Sequence, residues 1–170
     1  SEQHNNCDCK GAIDPWKAYT HASEFLTSGL RIGSPAPTDA SWLTEYIGHC
    51  NDMQTRCDFV AIHCYWGPNE AANADAWKSR LQDIYNKTKR PIWITEWNYG
   101  ASWTSEGWPN GWSDKLEKER AAIKSIQSML ESLPFVERYA IYNWDTDYRT
   151  MIQWDNGSVT PAGKVYRDMK

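Results

Sequence analysis

The sequence predicts an α/β fold built on a parallel sheet, and three observations predict it. Short runs of β-branched and aromatic residues alternate with longer segments of helical periodicity, the pattern of consecutive βα units with right-handed crossovers. The strand interiors are almost continuously apolar, as expected when helices or other elements cover both faces of a sheet. Polar residues gather at the C-terminal ends of these runs, which is where α/β sheets and βα barrels carry their sites.

The elements follow in order. An opening loop of about a dozen residues gives way to Asp14, which can cap a helix starting at Pro15 and stopping at Gly29. LRIGS, residues 30–34, reads as a short buried strand that Pro35 and Pro37 break. Asp39 or Ser41 then starts a helix through about His49. DFVAIHCY, residues 58–65, is the second strand, and the Ala-rich run from Glu70 to about Lys87 is a helix. PIWITE from Pro91 is the third strand. A long loop precedes a helix from Lys115 to about Leu133, whose apolar residues recur at helical spacing. RYAIYNW is the last strand, and Thr160 with Pro161 opens a short final helix. No linker, low-complexity tract or internal repeat divides the chain, so residues 1–170 read as one domain or part of one.

Composition narrows the partners. With 18 Lys and Arg against 22 Asp and Glu, scattered along the chain, there is no positive field for nucleic acid. No apolar run approaches the roughly 18 residues of a membrane span, and the N-terminal SEQHNNCDC lacks the features of a signal peptide. A soluble chain whose leader has been removed is the expectation. Tryptophan stands out, at 11 Trp beside 9 Tyr in 170 residues. Such rings either pack cores or offer flat apolar faces, and the C–H face of a pyranose ring is a matching plane.

Five cysteines leave at least one unpaired. Cys50 and Cys57 bracket the polar segment NDMQTR, and a disulfide there would close a small loop worth about 2–3 kcal/mol. Cys7 and Cys9 are too close to bridge without strain, and with His4 they lack the second ligand pair of a metal site. The triplets at Asn86 and Asn156 fit the N-glycosylation pattern. Together these features predict a secreted or cell-surface protein.

Strand parity brings the polar residues to one rim. Phe59, Ala61, His63 and Tyr65 share a face, and on the next strand Ile92, Ile94 and Glu96 do the same. In the last strand Ala140, Tyr142 and Trp144 share a face. A carboxylate at the end of an apolar strand is costly to bury without partners, so Glu96 is the leading functional candidate, with a structural ion pair as the plainer alternative. His63 is equally a hydrogen-bonded core histidine or a site residue. Tyr65 can donate to Glu96 and hold its rotamer, and Trp144 either plugs the sheet end or forms a sugar platform. Trp66, Trp97 and Tyr142 lie at the same strand ends. The segment NYGASWTSEGWPNGWS, residues 98–113, carries Trp103, Trp108 and Trp112 and reads as one wall of a glycan cleft or as a self-packed loop.

The motifs RIGSPAPT, DFVAIHCYWG, PIWITEWNYG, YAIYNWD and the closing GSVTPAGKVY, spread over most of the chain, resemble those of clan A glycoside hydrolases. The resemblance is closest to the β-1,3-glucanases of glycoside hydrolase family 128. It implies a (β/α)8 barrel of which this chain holds about the last four βα units, since such barrels need roughly 250 residues. Glu96 in WITEW then matches the nucleophile that ends the seventh strand. Tyr65 matches the supporting tyrosine of the sixth, His63 the histidine of the same motif, and Trp144 the aromatic residue of the central subsite. Substrate contacts are expected from His63, Tyr65, Trp66, Trp97, Trp103, Tyr142 and Trp144.

One part of the pattern is missing. The family's acid/base glutamate lies in an Asn-Glu-Pro motif, and no such tripeptide occurs here. DPWKAYTHASEF resembles the helix that follows that motif, so the resemblance implies that the acid/base precedes Ser1. The chain is therefore expected to act as an incomplete retaining endo-β-1,3-glucanase, completed by the N-terminal half of the barrel or by another copy of itself. A non-catalytic β-glucan-binding module is the alternative. No metal or cofactor is called for, because two carboxyl groups suffice for the chemistry.

Overall fold

The computed structural model describes residues 14–37, 39–65, 74–143 and 146–169. The predicted site residues Trp66 and Trp144, together with His4, Cys7 and Cys9, lie outside them. In order, the elements are α1 (Pro15–Ser23), α2 (Ala40–Asp52), β1 (Val60–Cys64), α3 (Ala74–Thr88), β2 (Ile92–Trp97), α4 (Trp112–Glu131), β3 (Val136–Ile141) and α5 (Pro161–Asp168). The strands form one sheet in the order β1-β2-β3. Pairing rises together along neighbours, from Val60 N to Pro91 O up to Asn98 N to Cys64 O, and from Ile92 N to Phe135 O up to Tyr142 N to Trp97 O. That is a parallel ladder. The fold is thus α/β with a parallel sheet, and the chain divides into two compact units whose boundary crosses every strand.

The first unit comprises residues 1–63, 81–95 and 135–139. Asp14 caps α1 by accepting from Lys17 N at 2.7 Å, with Pro15 in the first turn. The helix stops at Ser23, short of the expected Gly29. Thr20 and Ser23 hydroxyls donate to carbonyls three residues back, and tighter turns from His21 to Glu24 and Ala22 to Phe25 replace the α pattern. Asp39 caps α2 through Ser41 N. Leu43, Tyr46, Ile47, Val60, Ile62, Leu81, Ile84, Ile92 and Ile94 build this unit's core.

The expected strand over residues 30–34 shrinks to one parallel bridge between Gly33 and Phe59. The Ile32 N–H is taken by the Asp58 carboxylate at 2.7 Å, and Pro35 has no N–H to extend the ladder. A side chain on Gly33 would sit 2.2 Å from the Phe59 ring, so the approach depends on glycine. The expected Cys50–Cys57 disulfide is corrected, since both are buried free thiols. Interaction with each other and burial push the Cys57 thiol up, while Cys57 holds Cys50 below the ordinary thiol value. Cys57 also donates to Phe59 O at 3.3 Å.

The second unit comprises residues 64–80, 96–134 and 140–170. Ile123, Ile126, Met129 and Leu130 of α4 are buried, with Leu133, Met151 and Ala162. Gln127 joins α4 to α5 by donating to Tyr166 O at 3.2 Å and Met169 O at 3.0 Å. Thr160 caps α5 by accepting from Gly163 N and donates to Thr150 O at 2.8 Å. No described helix is long and apolar enough to cross a membrane.

Candidate active site

In β1, Val60, Ile62 and Cys64 are fully buried on one face, and His63 is half-buried on the other. Tyr65, the residue after β1, is buried. The β2 alternation departs from expectation. Ile92 and Ile94 are buried and Trp93 and Thr95 are not, but the next buried position is Trp97, not Glu96. Glu96 is thus less buried than Ile92, Ile94 and Trp97.

At the strand ends of the second unit, the Tyr65 hydroxyl donates to Glu96 Oε2 at 2.6 Å. Tyr65 is buried and Glu96 half-buried. Tyr142 stands edge-on to the Tyr65 ring at 5.8 Å, and Trp103 does so at 5.4 Å. Trp103 is 71% exposed, a large apolar face directed to solvent beside the carboxylate's partner. Tyr65, Glu96, Trp103 and Tyr142 therefore come together as one cluster.

Trp97, also expected as a sugar contact, is a buried residue. It is 0% exposed and packs against Trp77 at 6.1 Å and Tyr166 at 6.1 Å in the helix-side core. His63 belongs to the first unit and is half-buried.

The loop after β2 is largely self-packed. Trp108 lies against Tyr99 at 5.7 Å and Tyr148 at 4.6 Å, with the Arg149 guanidinium 4.9 Å from its ring centre. Arg149 forms a buried ion pair with Glu106, at 1% and 0% side-chain exposure, and donates Nε to Tyr99 O at 3.1 Å. Gly100, at φ +71, lets Glu106 approach, because a Cβ there would lie 2.0 Å from its carboxylate oxygen. Burial and the Glu106 carboxylate push the Tyr99 phenol up. Only Trp103 of this loop's three tryptophans reaches the Tyr65 cluster; Trp112 opens α4, half exposed.

Sequence reading missed Asn98, Glu106 and Arg149. Asn98 is 0% exposed and donates Nδ2 to Tyr142 O at 2.9 Å and to Arg149 O at 3.2 Å. Nothing local marks Arg149 as the partner of Glu106. Among the described residues, no group of three or more His, Cys, Asp or Glu is arranged to hold a metal.

A phenol-bonded carboxylate beside exposed aromatic faces at the end of parallel strands is suited to holding a sugar ring against a nucleophile or a base. Residues 1–166 match the family model described as glycosyl hydrolase catalytic core, and the chain belongs to that family of glycoside hydrolases. It is similar to a family 128 (subgroup I) endo-β-1,3-glucanase from Amycolatopsis mediterranei, at 25% identity and TM-score 0.76 over 94% of this chain and 68% of that one. The same enzyme in complex with laminaritriose matches at 26% identity and TM-score 0.74, over 91% of this chain and 65% of that one. A family 128 (subgroup VII) oligosaccharide-binding protein from Trichoderma gamsii shares the fold, at 19% identity and TM-score 0.71 over 97% of this chain and 64% of that one. No curated protein sequence matches.

Proposed function

We propose that this chain is the nucleophile-bearing part of a retaining endo-β-1,3-glucanase, and that its strands are consecutive units of a (β/α)8 barrel. The observation that carries the reading is the 2.6 Å bond from Tyr65 to Glu96 at the strand ends of a glycosyl hydrolase catalytic core. Glu96 attacks the anomeric carbon and forms a glycosyl ester while the leaving oxygen takes a proton from a second carboxyl group about 5 Å away. Tyr65 fixes one carboxylate oxygen so that the attack geometry is set before the sugar arrives. Trp103 and Tyr142 present ring faces to the glucan. The laminaritriose complex of the Amycolatopsis mediterranei enzyme supports a β-1,3-glucan as substrate. A polymer of this kind fits action outside the cell.

The proton donor comes from outside these 170 residues, a reading supported by the lack of any Asn-Glu-Pro tripeptide. A 2,4-dinitrophenyl β-laminaribioside tests this directly, because its leaving group departs without protonation. The chain should release one burst of dinitrophenolate, lost in Glu96→Gln, yet leave laminarin uncut. Laminarin cleavage by the chain alone, abolished in Glu96→Gln, would place the acid within it and make Glu2 the first carboxyl to examine. Binding of laminari-oligosaccharides with no burst would favour the second reading, a glucan-binding module, which the same missing tripeptide also supports.

A further inference from the structure

Asn98, two residues beyond Glu96, engages its backbone N–H and both ends of its side-chain amide. The N–H donates to Cys64 O at 3.3 Å, Nδ2 donates to Tyr142 O at 2.9 Å and Arg149 O at 3.2 Å, and Oδ1 accepts from Tyr99 N at 2.7 Å. Cys64 immediately precedes Tyr65, and the Tyr142 ring stands edge-on to Tyr65. One fully buried residue thus fastens the three segments that carry the phenol, the carboxylate and the neighbouring aromatic ring.

We infer that Asn98 is a positioning residue for Glu96, acting through the backbone of β1 and β3. This rests on the assignment of Glu96 as nucleophile. The chemistry requires an amide: two carbonyl oxygens converge on Nδ2, so a group with two N–H donors satisfies both, and a carboxylate of the same shape would face them with like partial charge. Loosening the clamp frees Tyr142 O and Arg149 O to move away from the end of β2, and the Tyr65–Glu96 pair loses its fixed frame. Rates of attack are sensitive to such shifts because misplacement near 1 Å costs about 100-fold.

Gln127 supplies an internal control. It is also a buried amide donating to two backbone carbonyls, Tyr166 O and Met169 O, but these bonds tie α4 to α5. The experiment follows burst release from 2,4-dinitrophenyl β-laminaribioside for the wild type, Glu96→Gln, Asn98→Asp and Gln127→Glu, with the Tm of each and its Kd for laminaribiose. Asn98→Asp should slow the burst about 10- to 100-fold while Kd moves less than about threefold. Gln127→Glu should lower Tm comparably and keep the burst rate within about twofold. Should Asn98→Asp not fold, Asn98→Ser, which keeps a single donor, carries the same expectation. A burst rate within about twofold of wild type in the Asn98 variant, or equal slowing in Asn98 and Gln127 variants of equal Tm, overturns the inference alone. No burst in the wild type, or one that survives Glu96→Gln, overturns the assignment of Glu96 and the inference with it.

Discussion

Tyr65 and Glu96, 31 residues apart in sequence, meet through a 2.6 Å hydrogen bond from phenol to carboxylate. An O–H···O bond of this length lies at the short end of the protein range and has directional preference. Because Tyr65 directly follows β1 and Glu96 is the next-to-last residue of β2, the bond inherits the register of β1 and β2.

Removing that hydroxyl alone should separate chemistry from folding. Tyr65→Phe keeps the ring against Trp103 and Tyr142, so stability should change by less than about 1 kcal/mol. The rate of glycosyl-ester formation should fall about 10- to 100-fold, the loss of one hydrogen bond to a charged group. Burst kinetics beside thermal melts measure both; an unaltered rate would remove Tyr65 from the mechanism.

The two tryptophans flanking this site should behave oppositely. Trp97, fully buried between Trp77 and Tyr166, should cost about 3–5 kcal/mol of stability on replacement by Ala. Trp103, 71% exposed, should leave stability within about 0.5 kcal/mol and weaken laminari-oligosaccharide binding about 3- to 10-fold. Urea denaturation and titration calorimetry on Trp97→Ala and Trp103→Ala decide it.

Arg149 and Glu106 form an ion pair excluded from solvent. Arg149→Met alone should destabilise by about 3–5 kcal/mol, because it strands the Glu106 carboxylate in the interior. Adding Glu106→Leu should recover part of that loss. Losses that simply add in the double variant, measured by denaturant unfolding, would show that the pair is not coupled.

Glu137 gives the first unit a pH dependence. Its bonds from Arg31 at 2.7 Å and from Trp93 Nε1 at 2.9 Å hold its carboxyl at about 2, against an ordinary 4.5. A depressed folded-state value means the contribution is fully present above about 4.5 and is lost as pH falls through about 2. Glu137→Gln should flatten the stability profile across that window, and added salt should weaken the effect because the pair is exposed. An NMR titration of Glu137 with a midpoint near 4.5 would contradict it.

Much of this organisation was legible in the sequence because it is local. The phenol ending the β1 run and the acid ending the apolar run of β2 marked Tyr65 and Glu96, which meet in a hydrogen bond. Residue types on β2 did not announce that Trp97 would be as buried as Ile92 and Ile94. Strand 30–34 was overestimated because its apolar residues hid the competition from the Asp58 side chain for the Ile32 N–H. Asn98, Glu106 and Arg149 stayed invisible because their partners lie 44, 43 and 51 residues away along the chain. Long-range polar pairing depends on the fold and leaves no periodic trace.

The central claim is that Glu96 is the residue that bonds to sugar. A 2-deoxy-2-fluoro β-laminaribiosyl dinitrophenolate glycoside accumulates the covalent ester, and peptide mass mapping of the trapped protein locates it. The account predicts a single label on the peptide containing Glu96, absent in Glu96→Gln; a label on any other carboxyl group, or release of dinitrophenolate with none on Glu96, would contradict it.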